Sequence, residues 1–92
     1  MKSVWKFKLD PSQNNIVEMP LGTKILSIKC QREDIVIYGL VSLNEESKEV
    51  YSLEIFGTGE PIPSYINSYE FLDTVNMNND ELIFHVFYKR ID

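Results

Sequence analysis

The 92 residues contain one cysteine, one histidine and one tryptophan, with only four glycines and four prolines. A lone Cys30 rules out an intramolecular disulfide, and a single thiol suits a reducing cytoplasm. One histidine and one cysteine fall short of the three or four nitrogen or sulfur ligands that a zinc site needs. Cysteine–histidine catalysis would have to join Cys30 to His85. Cys30, however, sits on an apolar strand face, where cysteine behaves as a small inert hydrophobe. The paired carboxylates Glu45–Glu46 and Asp80–Glu81 fall in turns, where no burial tunes them. There is no Walker loop, no dinucleotide fingerprint and no calcium-spaced acidic loop. Cations are few as well: nine Lys and Arg stand against fourteen Asp and Glu, for a net charge of −5. That balance argues against direct nucleic-acid binding, which is driven by Lys and Arg on phosphates. No apolar run approaches the ~18 residues of a membrane span. The first residues alternate Lys with apolar side chains and do not form a signal-peptide core. The expectation is a cytoplasmic, non-enzymatic chain with no metal, no cofactor and no membrane association.

What is present favours strands. Apolar residues make up 43% and aromatic residues 12%, and aromatics suit a pleated surface. From residue 2 to 9, Trp5, Phe7 and Leu9 alternate with Lys6 and Lys8, the period of a half-buried strand. A turn-rich loop covers 10–15. Short strands follow over 16–19, which Pro20 ends, and over 23–30, with Leu26, Ile28 and Cys30 sharing a face. Residues 35–43 are almost wholly apolar and read as a central strand. Gly39 interrupts it and marks a bulge or a close approach. The next strand, 48–56, places Tyr51, Leu53 and Ile55 on one face, with Glu49 and Glu54 expected in solvent. Another lies within 65–75, from Tyr69 onward, with Tyr69, Phe71 and Val75 aligned, and residues 64–73 have room for one helical turn. After a turn at 76–80 the last strand, 81–90, sets Leu82, Phe84, Val86 and Tyr88 against Ile83, His85 and Phe87. Six or seven such strands in one domain of 92 residues predict an all-β fold, a small antiparallel sandwich or a partly open barrel.

The candidate site centres on Gly57, Thr58, Gly59, Glu60 and Pro61. Two glycines permit positive φ and two prolines fix φ, so this loop is shaped in advance. Backbone N–H groups in such a turn form an anion nest, and Thr58 would add a hydroxyl donor. Glu60 would repel an anion unless it turned away. The plain alternative is a structural crossover between sheets. Trp5, Tyr38 and Tyr88 each join a flat apolar body to a polar handle and are candidates for stacking on a ligand, or else core residues. His85 is a packed, hydrogen-bonded histidine or a ligand contact.

Charge is unevenly spread. Lys2, Lys6 and Lys8 crowd residues 2–8, whereas 44–81 hold nine acids and Lys48 alone. This reads as a solvated acidic face with a basic edge strand, or as a steering surface for a basic partner.

Trp5-Lys6-Phe7, Met19-Pro20-Leu21-Gly22, Gly57-Thr58-Gly59 with Pro61-Ile62-Pro63, and Phe84-His85-Val86-Phe87 occur in this order. The combination resembles a family of short uncharacterised proteins of phages, prophages and bacteria. Glu60 stands where that family often has His, Tyr38 where Trp is common and Thr23 where Ala is common. The resemblance implies a small accessory protein of the bacterial cytoplasm and brings no activity with it. The expected role is binding, as a homo-oligomer, to a host protein or a nucleotide-like small ligand, with counter-defence as a setting. The alternative is a virion or assembly component that uses its sheet edges.

Overall fold

The computed structural model describes residues 1–12, 14–77, 79 and 81–92. The loop expected at 10–15 and the turn expected at 76–80 therefore include Gln13, Asn78 and Asp80, which lie outside the described residues. The strands are β1 (Lys2–Leu9), β2 (Asn15–Pro20), β3 (Lys24–Gln31), β4 (Asp34–Ser42), β5 (Lys48–Gly57), β6 (Glu70–Met77) and β7 (Leu82–Arg90). A single 3-10 turn, Ser64–Ser68, lies between β5 and β6, inside the stretch that had room for it.

All pairings are antiparallel. β1-β4-β3 form one sheet and β2-β5-β7-β6 the other. The sheets do not close on one another, so the fold is a sandwich and not a barrel. The shortest dimension is 16 Å, as expected of two sheets packed about 10 Å apart. The apolar run at 35–43 becomes β4, the middle strand of the smaller sheet. Its inward residues Ile35, Ile37 and Val41 are wholly buried. Facing them across the core are Met19, Leu53, Val75, Met77 and Val86. Burying each such side chain is worth about 1.5–3 kcal/mol, which makes this seam the main source of stability.

Two expected alignments are broken by bulges. The register slips between Ile25 and Ser27 opposite β4. Leu26 is then 48% exposed while Ile28 and Cys30 pack inward. A second slip, between Phe71 and Asp73 opposite β7, sends Phe71 outward and Val75 inward. In each case one extra residue reverses the two-residue period, which alternation alone cannot reveal.

The path after β5 decides where a site can lie. The chain leaves β5 at Gly57 and returns as β6, with β7 between them in the same sheet. The glycine–proline loop is thus a crossover within one sheet, not between two as expected. It runs over the outer face of β5 and β7. Tyr69 OH lies 2.8 Å from Ser52 Oγ, and Tyr65 OH donates to Glu54 Oε1 at 2.6 Å. Lys89 Nζ donates to Ser68 Oγ at 3.1 Å. Glu54, expected in solvent, is only 8% exposed beneath this cover. Glu49 is likewise buried. Its carboxylate accepts the Gly22 N–H at 2.6 Å and the Tyr51 hydroxyl, so it fastens the β2–β3 turn to β5.

Candidate functional site

Gly57 to Glu60 form a tight turn in which the Glu60 N–H donates to the Gly57 carbonyl at 3.1 Å. Gly59 has φ +85, a conformation that a Cβ would strain. The Thr58 N–H donates to the Ile83 carbonyl at 3.2 Å, and the Gly57 N–H donates to Glu60 Oε2 at 2.8 Å. These donors are what an anion nest would use, and here the loop's own carboxylate takes one of them. Pro61 follows, exposed, and carries the backbone towards the 3-10 turn.

His85 sits half-buried on the outer face of β7. Its Nε2 lies 2.8 Å from Thr58 Oγ1 and its Nδ1 lies 3.0 Å from Thr74 Oγ1. Both ring nitrogens are engaged, and among the described residues no carboxylate or thiol is a partner. Cys30 packs against the core on the other sheet, where its Sγ donates to the Arg32 carbonyl at 3.3 Å. The two residues that catalysis would have to unite therefore lie in different sheets.

The three aromatic candidates do not converge. Trp5 lies on the inward side of edge strand β1, 41% exposed, with its ring centroid 6.5 Å from that of Phe7. Tyr38 is on the outward side of β4, paired with Lys6 and Ser27. Tyr88 packs against the core from β7, and its hydroxyl donates to Glu70 Oε2 at 2.7 Å. That bond first, then burial, pushes the Tyr88 phenol up.

The structure assembles a different group. On the outer face of the larger sheet, Phe71, Phe87 and Phe56 form an edge-to-face row across β6, β7 and β5, with centroids 5.5 and 6.1 Å apart. Phe71 is 56% exposed at one end of it. At the other end a pocket of about 250 Å³ is lined by Pro11, Ser12, Asn14, Glu54, Phe56 and Glu60. Its far wall is pinned by Asp10, whose Oδ1 accepts the Ser12 N–H and hydroxyl at 2.9 and 2.6 Å. Donation to Glu54, more than burial, pushes the Tyr65 hydroxyl up to about 12. The carboxylate Oε2 of Glu54 is buried with no hydrogen-bond partner among the described residues.

Of the expected site residues only Glu60 borders this pocket. Phe56, Phe71, Phe87, Glu54 and Tyr65 were not among the expected site residues. One signal was available: Ser52, Glu54 and Phe56 alternate on the face opposite Leu53. The crossover that buries them had no counterpart in the local pattern.

The opposite surface has the other sign. Lys2, Lys6, Lys8, Lys24 and Lys29 all stand exposed on the outward side of β1 and β3, with Arg32 in the adjoining turn. Lys8 pairs with Asp34 at 3.2 Å. Among the described residues, no group of three or more His, Cys, Asp or Glu is placed to hold a metal ion. No helix of the described residues is long and apolar enough to cross a membrane.

An open two-sheet antiparallel sandwich with a partly covered outer face defines the class: an all-β domain with a shallow pocket beside that cover. The chain belongs to the family described as Domain of unknown function (DUF7352), whose model matches residues 1–92. No curated protein and no solved structure matches it.

Proposed function

We propose that the chain is a non-catalytic binding module that engages a partner protein through the outer face of its four-stranded sheet. The observation that carries this reading is the Phe71–Phe87–Phe56 row, open at Phe71. Ile16, Tyr65 and Ile83 add exposed apolar area on the same side. Exposed aromatic groups on a rigid sheet are what protein interfaces use as anchors. A nucleotide-like ligand is the weaker reading at the glycine loop. The Gly57, Thr58 and Glu60 N–H groups are already committed, and Glu54 and Glu60 would oppose a phosphate.

Self-association by sheet edges is also weaker. β1 and β3 carry Lys along their length, β2 ends in Pro20, and β3 and β6 are bulged. Each device discourages strand addition, so a homo-oligomer would use the aromatic face. The motif resemblance supports a setting in the bacterial cytoplasm, as an accessory protein of a phage or prophage acting on a host protein.

The test is capture from bacterial lysate with quantitative mass spectrometry. The intact protein should retain a partner that Phe71→Ser loses at least tenfold, with the melting temperature held. Equal capture by both proteins, or none by either, overturns the reading.

A further inference from the structure

We propose that the pocket beside Glu54 receives a basic side chain of the partner protein, an arginine guanidinium. The inference deepens the protein-partner reading and rests on it.

Four observations meet at this point. Glu54 is more than nine-tenths buried, and its Oε1 is held by Tyr65 OH at 2.6 Å. Its Oε2 lacks a partner among the described residues although burial has removed it from water. A buried acceptor left unsatisfied costs free energy, more so when charged, and a cationic donor removes that cost. Glu60 borders the same pocket and adds a second carboxylate. Phe56 supplies an apolar wall, and a guanidinium, unlike an ammonium, stacks on a ring while its fork meets a carboxylate. Asn14 and Ser12 line the mouth with further polar groups.

Size points the same way. About 250 Å³ is just below the roughly 300–1,000 Å³ typical of small-molecule sites. The pocket suits the head of one side chain better than a nucleotide. It also opens beside the aromatic row, so an inserted arginine would anchor a protein lying across Phe56, Phe87 and Phe71. Most of the pocket is braced in advance: Tyr65 holds Glu54 by Oε1, Gly57 N–H holds Glu60, and Asp10 holds Ser12. Glu54 Oε2 is shielded in the free chain, so the carboxylate turns towards the pocket as the guanidinium enters. Little ordering is then lost on binding.

The experiment is an amide NMR titration of the whole chain with N-acetyl-arginine methylamide. The neutral isostere N-acetyl-citrulline methylamide, N-acetyl-lysine methylamide and magnesium and calcium chloride are run in parallel. Arginine should shift the amides of Ser12, Asn14, Glu54, Phe56 and Glu60, with citrulline at least tenfold weaker and lysine weaker than arginine. Glu54→Gln should weaken arginine binding at least tenfold with the melting temperature unchanged or raised. If that variant fails to fold, Glu60→Gln serves, because its amide oxygen still accepts the Gly57 N–H. The proposal is overturned by absent shifts, by shifts spread over the acidic surface, by equal response to citrulline, or by a site that answers only to the divalent ions. Lysate capture separates the two ideas: Phe71→Ser losing the partner while Glu54→Gln keeps it sinks the pocket and leaves the aromatic face standing.

Discussion

Thr58 Oγ1 lies 2.8 Å from His85 Nε2, so the glycine loop is bolted to β7 where the chain leaves β5. Thr74 Oγ1 meets the other ring nitrogen at 3.0 Å. A hydroxyl both donates and accepts, so this arrangement satisfies either neutral tautomer. His85→Ala should cost about 1–3 kcal/mol, and Thr58→Val about 1 kcal/mol, read as urea midpoints. Partner capture should survive in both variants. An unchanged midpoint with lost binding would move His85 from scaffold to contact residue.

Glu49 predicts how stability follows pH. The Tyr51 hydroxyl first, then the Gly22 N–H, hold its carboxyl below the ordinary value of 4.5. A depressed folded value means stabilisation that is complete above about pH 4.5 and lost as pH falls through the lower folded value. Burial, and then the bond to Glu49, pushes Tyr51 up to about 12 from 10. That contribution is complete below pH 10 and lost between 10 and about 12 as pH rises. Glu49→Gln should destabilise the neutral protein by about 1–3 kcal/mol and flatten the acid limb. Tyr51→Phe should flatten the alkaline limb. Melting temperature against pH for the three proteins checks both, and an acid limb as steep in Glu49→Gln as in the parent would refute the assignment.

Gly39 marks a close approach, and the bulge expected at it lies opposite, in β3 between Ile25 and Ser27. A Cβ there would lie 2.8 Å from Thr23 Cγ2 and 3.2 Å from Phe7 Cε2. Gly39→Ala should therefore destabilise by about 1–3 kcal/mol through overpacking. Thr23→Ser removes that methyl and keeps a hydroxyl for the bond to the Pro20 carbonyl, now 2.6 Å. Combined with Thr23→Ser, Gly39→Ala should recover most of the loss, since alanine suits a strand better than glycine. A thermal double-mutant cycle measures the coupling, and strict additivity would show that Thr23 is not the obstacle.

Residues seen from one side of a strand were readable in advance. Trp5-Phe7-Leu9 against Lys6-Lys8, and Phe84-Val86-Tyr88 against Ile83-His85-Phe87, follow from a side-chain period of two. The apolar run of β4 disclosed its central place because a strand buried on both faces cannot alternate. Leu26 and Phe71 were misaligned because a bulge adds one residue with no composition of its own to announce it.

The chain by itself determined an antiparallel all-β fold of six or seven short strands, a sandwich or a partly open barrel, because alternation and composition are local properties. Only the tertiary structure decided what covers what. Glu54 is buried because Tyr65, eleven positions along the chain, is laid over it by a crossover that passes β7. Long-range pairing order sets that path, and no spacing within β5 encodes it. The orphaned carboxylate follows from that passage of the backbone, the aromatic row from the β5-β7-β6 order, and the pocket from the approach of Pro11, Ser12 and Asn14 to Glu54 and Glu60.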